Sequence, residues 1–486
     1  MNRLVLIGNG FDMAHGLKTG YHDFINWYWA QRRDRFVNEH SNVSEDILCR
    51  LENLEYDTWS MALMYDTDLK QAKDNDIYKT IIKNDKIKKV FSPFFDRINQ
   101  NAEIKGWVDI ENEYYYFLKK FALEDNDETK VKELNNQLQF IQDKLIEYLK
   151  IETQKELKPI LEIDAAIYNI ISPQDVSVEG TTALQEHIEG GVTLSEEHWK
   201  LKLENSGILE ISEALDEIRK YKESNQGASL LISKIVNKTR QYFGYKKKTQ
   251  KGILDPESIF NIPPRYFYFP NNVMILNFNY TKTAEMYCHP KGITKILNLS
   301  PLNQIHGNLD DPESVIFGYG DEMDEEYKEI VKKNDNTFLS NIKSIKYLES
   351  MNYRRILSFI EYEPYQVIIM GHSCGNSDRT LLNTLFEHKN CVSIKPYYHL
   401  KKNGTDNYLE LVQNISRNFT DMKLMRDRVV NKTFCEPLIP KESENERRVF
   451  YGFPPSFRKH IVDNYENEKD IMEVWGVDKN KKGSPP

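Results

Sequence analysis

The chain is poor in cysteine: Cys49, Cys288, Cys374, Cys391 and Cys435 are its five thiols in 486 residues. They are widely spaced and no two form a C-x-x-C pair. Neither a zinc ribbon nor a disulfide framework is indicated, and the scatter suits a reducing, cytoplasmic setting. Long apolar runs are lacking too. None approaches the ~20 residues that cross a bilayer, so no membrane segment is expected. Met1 leads straight into an apolar stretch, which leaves no room for a secretory leader. There is no cationic excess: 65 Lys and Arg stand against 74 Asp and Glu, a net charge of −9. That balance argues against a chain held on nucleic acid by counterion release. Lys246, Lys247 and Lys248 read as solvated loop positions.

What is present begins at residues 3–7 (RLVLI), an apolar run that stops at Gly8-Asn9-Gly10-Phe11-Asp12. A buried strand that ends in a glycine turn and enters a helix exposes backbone N–H groups, an arrangement suited to anions and often to a dinucleotide diphosphate. Gly8 would allow the turn and Gly10 the close approach of a ligand. The third glycine of the dinucleotide fingerprint is replaced by Met13, and the next glycine is Gly16. Asp12 either caps the helix or bonds a ribose hydroxyl.

At 486 residues the chain exceeds what one compact core normally holds. Residues 1–30 read as strand, glycine turn and helix. Residues 31–265 read as a charge-rich, mainly helical insertion. Within it, Leu134, Leu138, Ile141, Leu145 and Leu149 form an amphipathic stripe, suited to a lobe packing on itself or to an oligomer seam. Residues 180–195 read as a loop or small hairpin. From 266 to 435 strands and helices alternate, with apolar runs at 273–276, 314–317, 367–370 and 392–394. A helix is expected near Thr281 and another over 377–388. This pattern predicts an α/β parallel sheet covered on both faces, with residues 1–30 and 266–435 as one discontinuous nucleotide-binding domain. The segment 436–486 is polar, and its end is expected to be disordered.

Four polar clusters fall at the ends of expected strands, where open parallel sheets bind ligands. The first is Gly8 to Asp12. The second holds Asn277, Asn279 and Thr281, with each asparagine either a ligand or a turn former. The third is His306 before Gly307, a structural imidazole or a general base. The fourth holds Gly371, His372, Ser373 and Asp378 before a helix, a second phosphate or ribose cradle, with Asn376 or Ser377 as an alternative cap. Gly371, Ser373 and Gly375 also meet the spacing of a nucleophile elbow.

Five ordered blocks carry a resemblance: 4–24 (LVLIGNGFDMAHGLKTGYHDF), 276–281 (LNFNYT), 305–307 (IHG), 316–319 (IFGY) and 371–388 (GHSCGNSDRTLLNTLFEH). Together they resemble the AbiH family of bacterial phage-defence (abortive infection) proteins. They are similar, more distantly, to the sirtuin-like NAD-binding domain. Asn279 matches the asparagine of the sirtuin N-x-D segment and His306 the histidine that precedes a glycine. Three features depart from it: Asp12 replaces a small hydroxyl residue, Thr281 replaces an acid, and the zinc ribbon is absent.

The resemblance implies a sirtuin-like, Rossmann-type sheet with a large helical insertion. It also implies a cytoplasmic abortive-infection effector, an NAD glycohydrolase that cleaves the nicotinamide–ribose bond of NAD without a metal. In that reading the catalytic residues are His306, Asn279 and Asp12. The amides of Gly8, Gly10 and Phe11 hold the diphosphate. Ser373 and Asp378 hold the distal ribose or order their loop, and Asn9, Gly16, Asn277, Thr281, Gly371 and His372 complete the nucleotide site. Expected partners are NAD or a related nucleotide, further copies of the chain as a homo-oligomer, and a phage-derived trigger, without membrane or nucleic acid. A non-enzymatic nucleotide sensor, or a regulatory subunit of a defence complex, is the alternative.

Overall fold

The structure, a computed structural model, describes residues 1–38, 43–54, 69, 72–73, 76–105, 109–169, 171–187, 270–288 and 298–440. The chain opens on β1 (Asn2–Ile7), whose six residues are all buried. Leu4 and Leu6 point into one apolar cluster, while Val5 and Ile7 point into another. A strand covered on both faces is what an uninterrupted apolar run requires. After Gly8 comes α1 (Asn9–Ala14). Gly16, at φ +84°, ends it. The Gly16 N–H donates to the Met13 carbonyl at 3.0 Å and the Leu17 N–H to the Asp12 carbonyl at 3.2 Å, a Schellman cap.

The chain then leaves the sheet through α2 (Tyr21–Asn38). Strands β2 (Val43–Glu45) and β3 (Cys49–Asn53) follow, then α3 (Ile77–Lys83) and β4 (Ile87–Phe91). The three strands form a small antiparallel sheet in the order β2-β3-β4. Next come α4 (Pro93–Lys105), α5 (Ile110–Lys119), a π-helical turn over Lys120–Glu124, and α6 (Glu128–Glu152). The apolar stripe of α6 is buried as its spacing predicts: Leu134, Leu138, Ile141, Leu145 and Leu149 all face the core. After α7 (Leu161–Tyr168), residues 180–187 are helical and not the loop expected there. Gly190 and Gly191 lie outside the described residues.

The large sheet resumes with β5 (Asn272–Asn277), β6 (Asn298–Leu299) and β7 (Asn303–Gln304). Helices α8 (Glu325–Lys332), α9 (Lys343–Lys346) and α10 (Asn352–Tyr362) lead to β8 (Tyr365–Met370). Then come α11 (Arg379–Phe386), β9 (Cys391–Tyr397), α12 (Tyr408–Arg417) and α13 (Met422–Arg428). The stretch near Thr281 forms a 3-10 turn over Thr283–Tyr287. The expected strand at 314–317 does not form. Its apolar residues Val315, Ile316 and Phe317 are buried, but the Val315 and Ile316 carbonyls accept from the Gln142 and Tyr280 side chains. The Gly318 N–H after them donates to the Glu111 carboxylate.

The six strands make one parallel sheet in the order β6-β5-β1-β8-β9, with β7 extending the β6 edge against the end of β5. Read in chain order this is 3-2-1-4-5, a Rossmann-like arrangement. One cluster includes Leu309, Val315, Phe317 and Ile342 from the β7–β8 connection beside side chains of α2 to α6. No helix among the described residues is long and apolar enough to cross a membrane.

Candidate functional site at the carboxyl edge of the sheet

From β1 the chain winds outward to β5, β6 and β7, then crosses back to β8 and β9. The loops after β1 and β8 therefore part at a switch point, where sheets of this type take their ligands. All four polar clusters lie at this edge, on the loops after β1, β5, β7 and β8.

The β1 and β8 loops clasp each other backbone to backbone. A Cβ on Gly8 would stand 2.5 Å from His372 Cα, and one on Gly10 would stand 2.9 Å from Gly371 Cα. Gly371 has φ +74°, and a Cβ there would lie 2.1 Å from the Phe11 nitrogen. The Gly8 N–H donates to Met370 O at 3.2 Å, the Gly10 N–H to Gly371 O at 2.8 Å, and the Phe11 N–H to Gly8 O at 2.9 Å. The three amides assigned to a diphosphate are thus engaged within the protein. These glycines bring two loops together and do not leave an open anion cradle.

Behind the clasp, Asp12 is buried on α1. Its Oδ2 accepts from the Thr281 hydroxyl at 2.7 Å, while Oδ1 is buried without a hydrogen-bond partner. Burial pushes this carboxyl up to about 6, against the opposing pull of the Thr281 hydroxyl. Asn279 Nδ2 donates to Gly8 O at 3.0 Å, which ties the β5 loop to the β1 turn. Asn277, fully buried, accepts from the Asn279 N–H at 3.1 Å and donates to Thr281 O at 3.1 Å. It shapes the loop that carries Asn279.

The second half of the site centres on Asp378, at the start of α11. Its Oδ1 lies 3.1 Å from His306 Nε2 and 2.9 Å from Lys343 Nζ, and its Oδ2 lies 3.7 Å from His372 Nε2. Lys343 is 1 % exposed and also donates to Glu111 Oε2 at 2.9 Å. Burial alone would raise Asp378. Lys343 and His306 beside it, with the hydrogen bond from His306 and the nearby His372, outweigh that and hold it well below the usual carboxylate range. Burial lowers Lys343, but Asp378 and Glu111 more than offset this and leave it raised. Burial raises Glu111, with Lys343 opposing.

Proton bookkeeping follows from these contacts. An ionised Asp378 only accepts, so the hydrogen between them sits on His306 Nε2. His372 Nδ1 accepts from the Cys374 N–H at 3.0 Å, which leaves its own hydrogen on Nε2, facing Asp378. The Phe278 ring lies between the two imidazoles, 5.3 Å from His306 and 4.1 Å from His372 by centroid. Tyr347 OH stands 3.2 Å from His306 Nε2. The opening turn and the distant imidazole are thereby joined through His372 and Asp378.

A family model described as bacteriophage abortive infection AbiH matches residues 4–399. The chain belongs to the AbiH family. Comparison with curated proteins and with solved structures finds no match.

Other sequence-derived positions of this AbiH chain take different places. Gly16 is a helix cap, and a Cβ there would have nothing within 4 Å, so its glycine serves φ and not ligand approach. Asn9 is exposed and accepts from the Thr19 hydroxyl. Ser373 is exposed, and its carbonyl accepts from Asn414 Nδ2 at 2.9 Å. The nucleophile-elbow spacing thus leads to a surface serine, whereas the nearby Cys374, at φ +55°, is buried and its thiol is pushed up by that burial. Asp378 turns inward to His306 and Lys343, where it ties its loop to the β7 loop and α9. Among the described residues no group of three or more His, Cys, Asp and Glu is arranged to hold a metal. Sequence reasoning missed Glu111, Lys343, Tyr347 and Phe278. Only Phe278 had a local signal, since it stands between two flagged asparagines.

Proposed function

We propose that this AbiH protein is an abortive-infection effector that hydrolyses NAD at the nicotinamide–ribose bond, using the carboxyl edge of a sirtuin-like sheet. The observation that supports it best is the pairing of an unpartnered buried carboxylate oxygen on Asp12 with an acid-oriented imidazole at the same edge. Bond cleavage passes through an oxocarbenium-like state that gains positive charge at the ribose. Asp12 Oδ1 is the negative atom that favours this charge. Asn279, its Nδ2 fixed on the Gly8 carbonyl, turns Oδ1 toward a ribose hydroxyl or the attacking water. His306 Nδ1 takes the proton as water adds to the ribose carbon and neutral nicotinamide leaves. NAD and water thus give ADP-ribose, nicotinamide and one proton. The exposed Ser373 hydroxyl contacts the nucleotide from the rim, and the engaged amides of the β1 turn do not hold its diphosphate. Action in the cytoplasm, as a homo-oligomer released by a phage-derived signal, completes the proposal.

Asp12 and Thr281, which bond to each other where the resemblance has a small hydroxyl residue and an acid, favour a second reading, a nucleotide sensor without turnover. Incubation of the purified full chain with NAD, followed by chromatography of free nicotinamide, separates the two. Release that falls on the order of 10²-fold or more in His306→Ala and Asn279→Ala supports hydrolysis. Undiminished release in those variants refutes the roles assigned to both side chains. NAD binding by calorimetry with no nicotinamide released supports the sensor.

A further inference from the structure

Glu111 belongs to the inserted region, yet its carboxylate ends inside the cluster at the sheet edge. Oε1 accepts from the Gly318 N–H at 3.1 Å and Oε2 from Lys343 Nζ at 2.9 Å. The same ammonium donates to Asp378 Oδ1 at 2.9 Å, and that oxygen is also the one facing His306 Nε2 at 3.1 Å. Four side chains therefore form one buried line from α5 to the imidazole. We infer that Glu111 and Lys343 are positioning residues for His306: by dividing one ammonium between two carboxylates, they set how strongly Asp378 favours the imidazolium form.

The argument is one of shared charge. Asp378 Oδ1 serves two donors, so whatever Lys343 takes from it is lost to His306. Glu111 draws Lys343 the other way and leaves Asp378 more negative. Groups around His306 come from three sides: Glu111 from α5, Lys343 and Tyr347 from α9 and the turn after it, and His372 and Asp378 from the β8 loop, with Asp109, the cap of α5, near Lys343 and Asp378. Lys343 is the cation in this set, and it touches both acids that approach the imidazole. Because Glu111 rides on α5, a displacement of that helix would change the division of Lys343 and alter His306 without moving it. The inserted region would in this way be coupled to the chemistry through charge as well as packing.

The inference rests on His306 as the base of the reaction proposed above, and its test is arranged to separate the two. The pH profile of kcat/KM for nicotinamide release is measured from pH 5 to 9 for the full-length wild type, Glu111→Gln and Lys343→Met. Opposite charges at this range move a titration by roughly 1–3 units. Removal of the Glu111 charge should move the acid limb down by roughly half to one pH unit. Removal of the Lys343 charge should move it up by roughly one to two, and Lys343→Arg should restore it. Displacements in opposite directions support the inference. Limbs that stay in place, or that move together while rates fall, overturn it.

Should the wild type release no nicotinamide, the hydrolase reading fails while this one is still decided by NMR titration of labelled histidine rings. The His306 signal is identified by its loss in His306→Gln. The same opposed midpoints are expected, and coincident midpoints refute the division of charge. Should Lys343→Met fail to fold, the downward displacement in the isosteric Glu111→Gln, or its absence, decides alone.

Discussion

Asp12 is held in the folded protein at a cost that can be measured. Its carboxyl is pushed up to about 6 from an ordinary 3.8 by burial, with one oxygen unpartnered. At 1.36 kcal/mol per unit, the charged form destabilises the native state by about 3 kcal/mol above pH 6. The unfolded chain titrates near 3.8 and the folded chain near 6, so between these values the folded state binds more protons. This contribution therefore favours folding as pH falls from about 6 to about 4, and is lost again as pH rises through 6. Asp12→Asn has no such dependence. Its amide places one polar atom where Oδ1 has no partner, a cost of roughly 1–3 kcal/mol that does not vary with pH. Urea unfolding of both proteins at pH 7.5, 6, 5 and 4 should show the wild type gaining roughly 2–2.5 kcal/mol on the variant toward acid. Parallel stability curves would refute the placement of Asp12 as a buried, half-satisfied carboxylate. The residue proposed to stabilise positive charge in the reaction is thus also one that strains the fold, the compromise expected of a group kept for chemistry.

Other outcomes follow from the clasp and the charge line. Lys343→Met leaves Glu111 and Asp378 buried without their cation and should cost roughly 3–5 kcal/mol at pH 7.5. Adding Glu111→Gln should recover at least half of that, and simple additivity of the two losses in a thermal or urea melt would contradict the shared ammonium. Among the glycines, Gly371→Ala meets both a left-handed φ and the Phe11 nitrogen at 2.1 Å and should destabilise by more than about 3 kcal/mol, whereas Gly16→Ala, with open space around it, should lose only about 1–2 kcal/mol. The reverse ranking would count against the backbone clasp.

Much of the α/β core was legible because its strands carry buried apolar runs, two of which, β1 and β8, end at glycine. Residues 3–7, 273–276, 367–370 and 392–394 all lie in the parallel sheet. The run 314–317 is apolar over its last three residues and buried there, but its carbonyls accept from the side chains of Gln142 and Tyr280 while the Val315 and Ile316 N–H groups donate to the Pro312 and His306 carbonyls, so no strand ladder forms. Apolarity announces burial and not the partner of the backbone. The β2-β3-β4 sheet was hidden for a related reason. Its alternation of buried and half-buried positions in CRLEN spans five residues, with Arg50 and Glu52 on the polar face, and looks like the charged helices around it.

At the site, His306, Asp12 and Asp378 stood beside glycines or at strand ends, where local pattern speaks. Glu111 and Lys343 stand on ordinary helices, 232 residues apart in the chain. Nothing near either one signals the other. The use of Gly8 and Gly10 was open to two meanings, since a glycine that admits a ligand and a glycine that admits another backbone read alike. Gly371 decides between them, and it lies far along the chain at the end of β8.

The side chains between β7 and β8 pack into the same apolar body as α2 to α6. A truncation that excised residues 31–265 would therefore expose Phe317 and Ile342 to water and strip Lys343 of one counter-ion, so the trimmed sheet is not expected to fold by itself. A displacement in that body has two routes to the sheet edge, the shared packing and the Glu111–Lys343 contact.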